Sequence, residues 1–160
     1  MIEKRIIYVH QLVLFTRAPV LYNLISKSKS KQLEISTIRH AIFMKLLYFI
    51  YSDQTPEYAG LTEARDIINW ATLFDLADLV HRLEVKLVST ISDRNVVLLL
   101  QMAEEFHLKQ MEVACILYLV DNKHLLEDFP FQTFSPLILY SFSCSIFPFK
   151  SPIQKPILNH

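Results

Sequence analysis

The sequence predicts an α+β domain, mostly helical, with helical hairpins packed against a small sheet. Three observations carry that expectation. From about residue 39 onward, apolar side chains recur every three or four positions in one segment after another, the period of amphipathic helices. Two short runs near the start, residues 6–9 and 33–35, have the β-branched content and alternation of strands. The chain has 160 residues, 52% of them hydrophobic and 20% charged, enough for one domain with a substantial core. That apolar content implies helices buried on more than one face, or a surface that meets a partner.

Each element follows from its own pattern. After the first strand, residues 10–25 carry Leu14, Ala18, Leu21, Tyr22 and Ile25 at helical spacing. Pro19 lies inside this pattern and either breaks it into two pieces or opens the second one. Residues 26–31 alternate serine and lysine and read as a solvated loop. Residues 39–51 are apolar nearly all round, which marks a central helix. Residues 52–60 contain Asp53, Pro56 and Gly60 and form a connection. Helices are then expected over residues 62–76, 77–91, 94–107 and 111–126, with Ser92 or Asp93 capping the third of these. Composition changes near residue 128. Residues 129–160 hold five of the seven prolines and many aromatic residues, and are expected to lie outside the domain as an apolar tail.

Composition also excludes functions. The formal net charge is zero, so no global basic field attracts nucleic acid or an anionic membrane. With one glycine, Gly60, the chain lacks the phosphate-cradling loops of nucleotide sites. Cys115 and Cys144 have no paired spacing for a zinc ribbon or a redox Cys-x-x-Cys. No apolar stretch reaches the roughly 18 residues of a membrane span. Two cysteines suit a reducing compartment, and the expected location is the cytoplasm, the nucleus or both.

Candidate chemical groups are few. His10, at a strand-to-helix boundary, reads as a packed structural histidine with no partner nucleophile. Asp78 with His81, Glu104 with His107 and Asp121 with His124 each share a helix face. Glu-x-x-His pairs occur in di-iron bundles, so a metal-dependent helical enzyme is the alternative from another class. Such a site requires further inward glutamates, and the sequence offers none in place. Lys27, Lys29 and Lys31 read as solvated charges. Tyr48 and Tyr51, near the end of the central helix, are either core residues with wet hydroxyls or partner-facing ones. Trp70 reads as core.

Several motifs in order resemble the BTB/POZ domain, a protein-interaction module. Tyr8-Val-His10-Gln-Leu-Val-Leu14 and Arg17-Ala-Pro-Val-Leu21 look like the family's histidine, leucine, arginine and serine-proline run. Ala18 stands for its serine and Leu21 for its phenylalanine. Leu33-Glu-Ile35 resembles the next strand, and Phe43-Met-Lys-Leu-Leu-Tyr-Phe-Ile-Tyr51-Ser-Asp53 the apolar helix after it. Ala71-Thr-Leu-Phe74-Asp-Leu76 resembles the alanine-aspartate segment, with Thr72 in place of the aspartate. Leu83-Glu84 resembles a cysteine-glutamate pair, and Ser92-Asp-Arg-Asn95-Val with Met102-Ala103-Glu104 the following linker and helix. The likeness covers about residues 5–127.

The resemblance implies a non-enzymatic module for self-association and adaptor docking over residues 1–128, without cofactor or metal. Its partners would be proteins: a second copy of the chain, and a cullin scaffold in ubiquitination. The partner-binding residues it suggests are Leu24, Ser26, Tyr48, Tyr51 and Asp53. Two departures accompany it. The family's first helix and strand have no counterpart before residue 6, so a partial gene product is a further reading. The loop at residues 26–31 also lacks the apolar-x-glutamate element of cullin-binding members.

Overall fold

The computed structural model describes residues 6–28, 35, 37–126, 129–136, 138–140 and 143. Among these, seven α-helices follow in order: α1 (Gln11–Arg17), α2 (Pro19–Lys27), α3 (His40–Ser52), α4 (Leu61–Leu73), α5 (Ala77–Val88), α6 (Val96–Phe106) and α7 (Lys109–Asp121). Two 3-10 turns come after them, Lys123–Leu126 and Phe131–Thr133.

Pro19 both divides and restarts the first helical segment. Ala18 between the two pieces has non-helical dihedrals, and Pro19 takes the first position of α2, where its missing N–H costs no bond. The central helix is α3. It buries Ile42, Phe43, Leu46, Leu47, Phe49 and Ile50, so apolar contact surrounds much of its circumference. It packs between α1 and α4. Each fully buried Leu or Ile there contributes roughly 1.5–3 kcal/mol over an exposed one. Helix α4 packs on α5, α5 on α7, and α6 on α7, so the later helices form the expected hairpins.

A chain with one glycine must close its hairpins with other residues. Asp75 and His107 take the left-handed conformation, at φ 56° and 57°. After each, a leucine amide reaches back: Leu76 N–H to Ala71 O and Leu108 N–H to Ala103 O, both at 2.8 Å. Leu76 and Leu108 are both buried. This is the Schellman arrangement with its apolar clasp, made with Asp and His in the glycine position.

The expected small sheet is not found: among the described residues there is no strand, and Ile35 makes only an isolated bridge. Leu33 and Glu34 lie outside the described residues. The alternation read in residues 6–9 is real, with Ile7 and Val9 turned to the core and Ile6 and Tyr8 exposed. A strand also needs a paired neighbour, and the pattern alone supplies none.

Two helix starts differ from expectation. Asn95, not Ser92 or Asp93, precedes α6. Its Oδ1 accepts the Ser92 N–H at 2.8 Å, which closes the preceding turn and delays the helix to Val96. Helix α7 begins at Lys109, directly after the Leu108 clasp. Its N-terminus is capped from another helix: buried Glu84 of α5 accepts the Met111 N–H at 3.0 Å. Beyond residue 128, Phe129, Phe134 and Ile138 are buried with the core. No helix among the described residues is long and apolar enough to cross a membrane.

Candidate protein-interaction site

Two exposed apolar faces stand out. The first belongs to α1 and the residues before it. Tyr8 is 89% exposed, Leu12 75% and Phe15 60%, and Ile6 is exposed as well. Leu12 and Phe15, three apart, share one side of α1, while Leu14 on the opposite side is buried. Phe15 meets the Tyr22 ring edge-on at 5.3 Å, which holds it in place on the surface. The second face lies on α3, where Met44, Tyr48 and Tyr51 fall on one stripe at spacings of four and three and are all exposed.

The C-terminal end of α3 is tied to its neighbours. The Tyr51 hydroxyl accepts the His10 N–H at 2.8 Å and lies 3.1 Å from His10 Nδ1, so α3 secures the start of α1. Asp53 ends α3 in the left-handed conformation and forms ion pairs with Arg17 of α1 and Arg82 of α5. Arg82 also donates to the Asp53 carbonyl at 2.6 Å. Both guanidinium groups lie over the Phe49 ring, at 6.0 and 5.5 Å from its centroid. The hydrogen bonds from Arg17 and Arg82 hold the Asp53 carboxyl below its ordinary value.

The connection after Asp53 is fastened in the same way. Lys45 donates to Glu57 O at 2.7 Å and pairs with Glu63 at 2.7 Å, and Glu63 also accepts the Ala59 N–H. The Lys45 bond, followed by the Ala59 bond, lowers the Glu63 carboxyl. Lys86 pairs with Glu57 and sits 4.9 Å above the Tyr58 ring.

Of the five residues suggested for partner binding, the structure groups three. Tyr48, Tyr51 and Asp53 lie together at the end of α3, whereas Leu24 and Ser26 are exposed on α2, which packs on α1. Tyr51 and Asp53 spend their polar atoms on internal ties, and Tyr48 donates to Gln54 Oε1. What these tyrosines offer a partner is ring surface. Lys29 and Lys31 lie outside the described residues; Trp70 is half-buried against Phe74. Sequence reasoning missed the α1 face, although Leu12 and Phe15 are among the apolar residues that its core stripe omits. It also missed Arg82.

The arrangement offers little for catalysis. A cavity of about 320 Å³ opens between the ends of α1 and α3 and the start of α5, lined by Thr16, Arg17, Phe49, Asp53, Asp75 and Asp78 among others. Its hydroxyl, on Thr16, is spent on the Leu12 and Val13 carbonyls. The acid-x-x-His pairs do not converge: His81 faces Glu84 at 3.9 Å, His124 faces Asp93 at 3.7 Å, and His107 is a helix end. Among the described residues, no three His, Cys, Asp or Glu side chains come together as metal ligands. Burial pushes the Cys115 thiol up to about 12, so it stays protonated and unreactive at neutral pH.

Comparison with known proteins decides the family. The model of the BTB/POZ domain matches residues 1–91. The chain belongs to the BTB/POZ family. The BTB/POZ and MATH domain-containing protein 3 of Arabidopsis thaliana is 30% identical over 130 residues, covering 72% of this chain and 32% of that protein. The chain thus spans about a third of the length of the curated relative it matches. As a BTB/POZ domain it is a protein-interaction module. The two apolar faces are its candidate contact surfaces.

Proposed function

We propose that this BTB/POZ domain self-associates through the α1 face and docks a second protein on the α3 stripe, as an adaptor in cullin-dependent ubiquitination in the cytoplasm or nucleus. One observation carries the first half: Ile6, Tyr8, Leu12 and Phe15 all expose large apolar side chains on α1 and the segment leading into it, and such surfaces find partners. The second half rests on Met44, Tyr48 and Tyr51, whose rings and thioether form a narrow, well-supported ridge. A ridge of aromatic side chains on a rigid helix has the make-up of an interface hot spot.

Light scattering tests the self-association. The intact chain at micromolar concentration gives a mass above the 18.7 kDa of one copy. The double substitution Leu12→Ser with Phe15→Ser returns it to one copy with unchanged helical circular dichroism. Equal masses for the two proteins would refute this assignment of the face. A titration with a cullin N-terminal domain tests the ridge. Tyr48→Ala weakens binding by about tenfold or more without altering the mass. An unchanged affinity removes the ridge from the account.

A further inference from the structure

Residues 129–136 and 138–140 form a strap on the helical array, with Phe129, Phe134 and Ile138 buried in its core and the Phe129 and Phe134 rings stacked at 5.3 Å. The Ser135 N–H donates to Glu104 Oε1 of α6 at 2.8 Å, a polar latch between strap and helix. Ser135 is only half-buried, and Pro136 after it is exposed. Serine followed by proline is the dipeptide that proline-directed protein kinases accept. Of the other two Ser/Thr-Pro dipeptides, Thr55-Pro56 has no carboxylate latch on its serine or threonine amide, and Ser151-Pro152 lies outside the described residues.

We propose that Ser135 is a phosphorylation site and that its modification releases the strap. In the transfer, Ser135 Oγ forms a bond to the γ-phosphorus of ATP. The bond from that phosphorus to the bridging oxygen breaks, ADP leaves with the electron pair, and the hydroxyl proton passes to the kinase's base. The product carries a charge of about −1.5 to −2 on the residue whose amide touches Glu104.

Two electrostatic effects then oppose each other. Ser135 O accepts the Leu139 N–H at 3.2 Å, so Ser135 opens a short helical turn, and a phosphate there gains from the turn's N-terminal end. That end is worth at most about half a positive charge, and less for a single turn. Glu104 presents a full negative charge at comparable range, so repulsion prevails. The nearest arginine that α4 sends toward this acidic pair, Arg65, is already engaged by Glu105, at 3.0 and 2.7 Å. Release uncovers the apolar surface beneath Phe129, Phe134 and Ile138.

The test treats the full chain with ATP and the catalytic domain of a proline-directed kinase, and follows amide hydrogen exchange. Phosphate is expected on Ser135. Amides of residues 129–140 then exchange about tenfold faster, and those of α3 are unchanged. Ser135→Glu reproduces part of the acceleration. Adding Glu104→Gln, which keeps the acceptor oxygen but removes the charge, restores most of the protection. Three results overturn the proposal: no phosphate on Ser135, unchanged strap exchange after modification, or equal acceleration by Ser135→Glu with Glu104 and with Gln at position 104.

Discussion

The C-terminal end of α3 and the N-terminal end of α7 are both helix termini tied to other helices by charged side chains, and they differ in their exposure to water. At α3, Asp53 meets Arg17 and Arg82 on the surface, and every partner is at least two-fifths exposed. At α7, the buried Glu84 carboxylate accepts the Met111 N–H through one oxygen, and the exposed His81 lies 3.9 Å from the other. Water competes for the first tie and salt screens it, so its work is to orient α1 and α3. For the second tie water offers no substitute, and loss of the acceptor leaves a buried donor unsatisfied. The lesson concerns the division of labour. Both regions rest on buried apolar packing, but the end of α3 is tied by side chains that water can replace and the start of α7 by one that it cannot.

The strongest way to break this contrast is beside the buried tie. Leu83→Ala, at a fully buried position of α5, is expected to cost about 2–5 kcal/mol in urea unfolding. A cost under 1 kcal/mol would mean that α5 can collapse onto the gap. Glu84→Ala comes next, at about 1–3 kcal/mol, with exchange of the Met111 amide accelerated first.

The exposed ties respond to acid. Asp53 and Glu63 are both held below their ordinary values of 3.8 and 4.5. A depressed folded value means that their stabilisation is fully present above those ordinary values and is lost as pH falls through the lower folded ones. Thermal midpoints should therefore change little with these two groups near neutrality and drop below about pH 4. In Asp53→Asn with Glu63→Gln the acid drop should shrink. An unaltered acid profile would assign it to other carboxylates. The smallest effect concerns the hairpin at Asp75. Asp75→Gly relieves a left-handed aspartate and should raise stability by roughly 0.5 kcal/mol, visible as a higher thermal midpoint.

Much of this architecture is legible in the sequence. The helical period identifies α3 to α7 because a buried stripe leaves a mark every three or four residues, and Pro19 announces the start of α2. Helix ends are less legible. Asp75 and His107 act where glycine would be the signal, and Asn95 closes a turn that serine and aspartate seemed to offer as a cap. The small sheet is not shown among the described residues, since β-branched content records a preference and a ladder needs a partner. At the candidate site, the place of Tyr48 and Tyr51 near the end of the apolar helix leaves core and partner-facing readings open, and the structure exposes both. The α1 face was missed because exposed apolar residues look like noise until the opposite face is known to be buried. The Arg17–Asp53–Arg82 tie joins positions 36 and 29 residues apart, and no local pattern encodes such a meeting.

The central claim is that the α1 face is the surface on which copies of this domain meet. Amide hydrogen exchange compared between nanomolar and high-micromolar protein tests it most directly. The account predicts that rising concentration slows exchange in residues 8–17 and leaves α6 and α7 unchanged. Concentration-dependent protection confined to α6 and α7, or none anywhere, would contradict it.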